Sequence, residues 1–174
     1  DGNGNTAGSV PEPVNFASGK SAAIPQTDAS FVKAGYAFAG WARSSELAAA
    51  GTIEYADGAT TGPLDGSLTL YAVWTNAPPP PVSAFSVEGG PGKLPLSWTD
   101  PSVGAPPAGD LAYIEITVTP DSGSGPSRVV NIGTGIGSCA LTGLIPGASY
   151  TCSAAAVDLE GARSGSVSVK GVPQ

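Results

Sequence analysis

The chain has 174 residues, among them 25 glycines and 17 prolines, and only 12% of its residues are charged. Low charge combined with 41% apolar residues argues against disorder and favours many short strands joined by turns. Histidine is absent, which excludes a Ser-His-Asp mechanism and histidine metal ligands. Methionine is also absent, so we expect a segment of a longer translated chain.

The net charge of −7 and the scattered basic residues exclude two classes of partner. Nucleic acids and anionic lipid surfaces are recognised by clustered lysines and arginines, and the seven basic residues form no cluster. No apolar run approaches the roughly 18 residues that cross a bilayer. We therefore expect no nucleic acid and no direct membrane insertion of this segment.

The first half contains two predicted strands and one predicted helix. In residues 36–41, large aromatic side chains alternate with small ones, as in a strand. Residues 44–50 begin with serines, continue with good helix formers and precede a glycine, which predicts a short helix. In residues 67–74 both faces of the alternating pattern are apolar, which predicts a strand placed centrally in its sheet.

Four consecutive prolines divide the chain. Residues 78–81 favour a stiff polyproline II segment that cannot belong to a central strand. We therefore predict one domain at residues 1–75, a proline-rich linker at residues 76–81 and a second domain at residues 82–174.

The second half contains no predicted helix. Turn residues separate seven short alternating runs, as in a β-sandwich. These predicted strands are residues 84–87, 94–98, 111–118, 128–132, 139–142, 150–157 and 167–169.

The start of the chain is a weak candidate for a calcium loop. Asp1, Asn3, Asn5 and Glu12 occupy positions 1, 3, 5 and 12 of an EF-hand loop, where oxygen ligands are needed. Thr6 stands where that loop requires glycine, and no helices flank it. A tight turn between strands explains the same residues better. We predict no catalytic residue, no cofactor and no other metal site.

The only two cysteines, Cys139 and Cys152, are predicted to point into the core from opposite sheets. Alternation places Cys139 on the face of Leu141 and Cys152 on the face of Tyr150. A disulfide closing this short loop would stabilise the domain by about 3 kcal/mol. Two reduced thiols packed as small apolar side chains fit the pattern equally well.

Aromatic residues offer a second pair of interpretations. They could form a platform for carbohydrate, but their strand alternation favours packing in the core. The residues in question are Tyr36, Trp41, Tyr71, Trp74, Trp98 and Tyr150.

The first half resembles the internalin-type B repeat, also called the Listeria–Bacteroides repeat, of bacterial surface proteins. The motifs that carry the resemblance are DGNGN at residues 1–5, GYAFAGW at residues 35–41 and LYAVW at residues 70–74. The resemblance implies a small β-grasp-like module, in which one short helix crosses a mixed sheet. It also implies a strand before the Asp-Gly-Asn turn, so we expect the first strand to be shortened here.

The second half resembles a fibronectin type III domain. LSWTDP at residues 96–101 is similar to the second strand with its core tryptophan. LIPGASY at residues 144–150 is similar to the turn before the tyrosine corner. The resemblance implies a seven-stranded β-sandwich and says nothing about a ligand. The expected fold class is therefore mainly β, in two domains.

Both resemblances lead to the same expectation about function. We predict a non-enzymatic, monomeric fragment of a bacterial cell-surface or secreted protein, acting as a spacer or as an adhesion module that contacts a protein or another cell-surface component. The predicted location is extracellular or in the cell envelope, with signal and anchor outside this sequence. The alternative is an accessory module of a secreted carbohydrate-active enzyme that contacts carbohydrate.

Overall fold

The computed structural model describes residues 1–101, 110–122 and 125–174 of the chain. Nine strands and one short helix lie within them, so the fold is mainly β, as predicted. The chain divides into two units, Asp1–Ala77 and Pro78–Gln174. The backbone N–H of Ala77 still bonds to the carbonyl of Gly35 (2.9 Å), and the four consecutive prolines belong to the second unit.

The first unit is built on an antiparallel pair of strands, β1 (Tyr36–Ala42) and β2 (Tyr71–Asn76). Both predicted strands exist, although β2 begins at Tyr71 rather than at residue 67. The two faces of β2 contribute to different apolar clusters, since Ala72 belongs to one and Val73 to the other. Both faces of the strand are therefore buried, but the sheet that the structure describes has only the two strands β1 and β2, so the predicted central position is not confirmed.

A short helix, α1 (Ser45–Ala49), lies between the two strands in sequence. The hydroxyl of Ser44 caps it by accepting a hydrogen bond from the N–H of Leu47 (3.2 Å), and Gly51 follows with a φ of +73°. The helix is therefore where the serine and glycine signals predicted it. None of the helices in the described residues is long and apolar enough to span a membrane.

The core of the first unit is a cluster of four aromatic rings. The centroid of Phe31, which is 4% exposed, lies 5.4 Å from that of Phe38, 6.0 Å from that of Trp41 and 5.2 Å from that of Trp74. These spacings are those of favourable edge-to-face and offset aromatic pairs. Phe38, Trp41 and Trp74 thus serve the core, which is the interpretation that the sequence favoured for most of the aromatic residues. Tyr36 is not among the residues of the described apolar clusters.

Gly40 is required where β1 bends. The register of β1 against β2 shifts between Phe38 and Gly40, and Gly40 has a φ of +144°. A Cβ atom at this position would lie 2.6 Å from the carbonyl oxygen of Tyr55, which is a backbone atom. Only glycine fits such a bulge without displacing the neighbouring backbone.

We expect Gly40→Ala to lower the free energy of unfolding of the first unit by about 2 kcal/mol or more, because it adds both backbone strain and a clash. Denaturant unfolding measures the change. The matched control is Gly62→Ala, because a Cβ atom at Gly62 would meet no atom within 4 Å. Equal stability of the two variants would contradict the bulge argument.

The second unit is a sandwich of two antiparallel sheets, and its strands are the seven that alternation predicted. The sheet orders are β3-β4-β7 and β6-β5-β8-β9. In chain order the strands are β3 (Ser83–Val87), β4 (Lys93–Thr99), β5 (Leu111–Pro120), β6 (Arg128–Gly133), β7 (Ser138–Thr142), β8 (Tyr150–Asp158) and β9 (Val167–Gly171).

The two sheets enclose a single apolar core. Leu94 and Leu96 from the three-stranded sheet pack with Ile114, Ile116 and Ala154 from the four-stranded sheet, and all five are at most 2% exposed. Their burial follows from the period-two pattern, because each strand sends every second side chain inward.

Two polar tethers fix one end of this sandwich. The phenol oxygen of Tyr150 accepts a hydrogen bond from the N–H of Ile145 (3.0 Å), which is the bond of a tyrosine corner. The carboxylate of Asp121, directly after β5, accepts hydrogen bonds from Ser149 (2.6 Å), Thr151 (2.6 Å) and Lys170 (2.9 Å). These three hydrogen bonds hold the pKa of Asp121 well below its usual range. The bond from Ser149 lowers the pKa most, followed by those from Thr151 and Lys170.

Candidate functional site

An apolar groove of about 390 Å³ opens on the first unit. Most of its walls come from the irregular segments before β1 and β2, and Trp41 of β1 also lines it. Asp1 and Glu12 add carboxylates to this lining. The principal apolar lining residues are Val10, Val14, Phe16, Ile24, Leu68 and Leu70.

Beside this groove, β2 pairs on a second side with the backbone of Asp1. The nitrogen of Asp1 donates to the carbonyl of Leu70 (2.7 Å), and the N–H of Ala72 donates to the carbonyl of Asp1 (3.0 Å). The two bonds flank Tyr71, which is the pattern of parallel pairing. β2 thus has an antiparallel partner on one side and a parallel contact on the other. A mixed sheet of this kind is what a β-grasp module would have, and the β-grasp interpretation stays a prediction.

Residues 67–69 come directly before this contact with Asp1. Within the part of the chain that the structure describes, residues 67–69 make no backbone hydrogen bond. Their strand-like sequence therefore lies outside the ladder that the structure describes. An open edge of this kind can accept an added strand.

The weak calcium loop is occupied by bonds within the protein. Asp1 Oδ1 accepts from the N–H of Asn3 (2.8 Å), and the Asn3 amide donates to the carbonyl of Ala72 (3.0 Å). The Asn5 amide donates to the carbonyl of Gly8 (3.0 Å), and Glu12 is exposed. These bonds form a tight turn, which is the structural interpretation that the sequence favoured. Calcium binding by the loop stays the weaker alternative.

The two cysteines lie in the sheets that alternation indicated. Cys139 is on β7 and packs against the core, whereas Cys152 is on β8 and is fully buried. Both are free thiols in the structure. Burial raises the pKa of Cys152 to about 11 and also raises that of Cys139, so neither thiol is activated as a nucleophile.

A group of acidic residues that the sequence analysis did not single out lies in the second unit. Asp110, Asp158 and Glu160 bring carboxylate oxygens within 4.8 Å of one another. Single acidic residues at turns looked like ordinary surface charges in the sequence. Only the pairing of β5 with β8 reveals that they are neighbours.

Comparison with known families shows what the first unit is similar to. Residues 1–73 match the family model of the Listeria-Bacteroides repeat domain. The first unit is therefore similar to a Listeria-Bacteroides repeat domain. This domain type is found in surface or secreted bacterial proteins, and the recognition made from the three motifs is confirmed.

The sheet orders and the tyrosine corner make the second unit a fibronectin type III-like sandwich, as predicted. Among similar solved structures is the fn3 domain of human collagen alpha-1(XX) chain, at 26% identity and TM-score 0.46, covering 57% of this chain and 89% of that chain. Another is chicken CNTN1 FN1–FN3, at 13% identity and TM-score 0.48, covering 70% of this chain and 39% of that chain. No curated protein matches the chain.

Proposed function

We propose that the chain is a non-enzymatic spacer and adhesion segment of a bacterial cell-surface or secreted protein, and that the groove of the repeat domain is its protein-binding surface. The observation that carries the proposal is the open backbone edge at residues 67–69 beside the apolar groove. Both domain types are typically non-catalytic modules, and four consecutive prolines join them in series. Polyproline is stiff, which suits a spacer.

The occupant that fits this surface is an extended peptide segment of another protein. Strand addition supplies affinity through backbone bonds, and pockets beside the edge select alternate side chains. Apolar side chains of the peptide would enter the groove, and a basic side chain would be attracted by Asp1 and Glu12. In an extended strand, alternate residues direct their N–H and C=O groups to the same edge. Leu68 therefore shares the edge that Leu70 and Ala72 present to Asp1.

A peptide array probed with the intact chain tests the proposal. We expect binding to extended peptides with alternating apolar residues, and at least a tenfold loss of binding in Leu68→Pro, because proline removes the N–H donor. The matched control Leu68→Ala keeps that donor and should retain more binding. Circular dichroism of both variants checks that the repeat domain still folds.

Binding of no peptide above background, or equal loss in Leu68→Pro and Leu68→Ala, would overturn strand addition at this edge. A glycan array run in parallel addresses the second candidate function, an accessory module of a carbohydrate-active enzyme. Trp41, Trp98 and Tyr150 are buried, which disfavours a stacking platform made of these rings. Glycan binding without peptide binding would nevertheless favour the accessory role.

A further inference from the structure

Three carboxylates converge at one end of the four-stranded sheet of the second unit. Asp110 immediately precedes β5, Asp158 is the last residue of β8, and Glu160 lies in the turn that follows. Register brings them together, because Leu111 is paired with Asp158 and the N–H of Leu159 bonds to the carbonyl of Asp110 (3.0 Å). Their carboxylate oxygens lie within 4.8 Å of one another.

The carboxylate of Asp110 is buried without compensation. The residue as a whole is partly buried, but each of its carboxylate oxygens exposes less than 1 Å². Among the residues that the structure describes, neither oxygen accepts a hydrogen bond from a donor group of another residue, and the Glu160 carboxyl lies beside them. Burying a charged group without a partner is costly, so native proteins pair such groups or use them to coordinate metals. Burial raises the pKa of Asp110, and the charges of Asp158 and Glu160 raise it further. The carboxylate of Asp110 thus lies beside the negative charges of Asp158 and Glu160 rather than beside a cation.

The second carboxylate is held in a fixed orientation. Asp158 is 2% exposed, and its Oδ1 accepts a hydrogen bond from the N–H of Ala162 (2.7 Å). The N–H of Gly161, whose φ is +87°, bonds to the carbonyl of Asp158 (3.2 Å) and closes the turn. A carboxylate has about four lone-pair sites, so the hydrogen bond from Ala162 is compatible with metal coordination.

We propose that Asp110, Asp158 and Glu160 bind a calcium ion. Oxygen ligands select hard cations, and the cluster contains neither cysteine nor histidine. Calcium binds oxygen at about 2.3–2.6 Å, so two of its ligands can be up to roughly 5 Å apart, which accommodates the spread of these carboxylates. Magnesium demands shorter bonds and a stricter octahedron. Water completes the coordination. The site is separate from the groove and does not depend on the proposed function.

Thermal unfolding of the intact chain in EDTA and in excess CaCl₂ tests the site, together with calorimetric titration of CaCl₂ into EDTA-treated protein. We expect calcium to raise the melting temperature of the second unit, because an ion bound only by the folded state stabilises it. Asp110→Asn should lose both the calorimetric signal and the calcium-dependent rise. That variant should still fold in EDTA, because it replaces an uncompensated charge by a neutral group of the same shape.

Two controls complete the design. Glu88→Gln removes an exposed carboxylate elsewhere in the same unit and should respond to calcium as the parent chain does. Glu12→Gln should do the same, which separates this site from the loop at the start of the chain. Identical melting curves in EDTA and calcium, or a calcium response retained in Asp110→Asn, would overturn the proposal. A response to MgCl₂ in the absence of one to CaCl₂ would overturn the assignment to calcium.

Discussion

Replacing Phe31 by alanine is expected to lower the free energy of unfolding of the repeat domain by about 3–5 kcal/mol. Phe31 is 4% exposed and contacts the rings of Phe38, Trp41 and Trp74, so its removal leaves a cavity that fixed aromatic neighbours cannot fill. Small domains are stabilised by about 5–15 kcal/mol in total. The substitution should therefore remove a large share of the stability of this domain.

Hydrogen exchange followed by mass spectrometry measures this effect on the intact chain, since it reports on each domain separately. Protection should fall throughout β1 and β2. The control is Ile53→Ala, which truncates an apolar side chain that is 50% exposed and should change stability by less than about 0.5 kcal/mol. If the two variants lost equal protection, the aromatic cluster would not be the core of the domain.

The second large effect is expected from Ile116→Ala in the fibronectin type III-like sandwich. Ile116 is fully buried on β5, between Val130 of β6 and Ala154 of β8. Truncation of such a side chain costs about 2–5 kcal/mol, because the tightly packed sheets can only partly close the cavity. Denaturant unfolding of the intact chain should show the transition of the second unit at lower denaturant concentration.

Val129→Ala provides the comparison for this variant. Val129 is on the adjacent strand β6 and is 58% exposed, so its truncation removes apolar atoms without opening a cavity. The difference between the two variants isolates the contribution of the core. A loss of stability in Val129→Ala as large as that in Ile116→Ala would contradict the inward direction assigned to alternate residues of β5 and β6.

Local patterns in the sequence predicted most of the fold. Each strand of the sandwich has inward residues at every second position, so periodicity alone located it. The cysteines followed the same rule, since Cys152 shares its inward face with Tyr150. The short helix was predictable because Ser44 and Gly51 are capping residues whose function depends only on the neighbouring backbone.

The features that the sequence did not predict depend on contacts between distant parts of the chain. Residues 67–69 have the composition of a strand, yet strand formation needs a partner that local sequence cannot specify. The groove arises from irregular segments whose packing has no periodic signal. Asp110 and Asp158 become neighbours only through the register of β5 and β8, which is why the acidic cluster escaped prediction.

Strand β5 has carboxyl groups with opposite responses to acid at its two ends. The pKa of Asp121 is lowered by folding, so the stability that it contributes is present above the usual carboxyl range and is lost as the pH falls from that range to the lowered pKa. The pKa of Asp110 is raised, chiefly by burial and further by the charges of Asp158 and Glu160, so its ionisation opposes folding and its protonation removes that cost. On acidification, the end of β5 at Pro120 should therefore lose its contacts before the end at Leu111 does. Acid unfolding of the sandwich would then begin at one end of this strand and proceed towards the other.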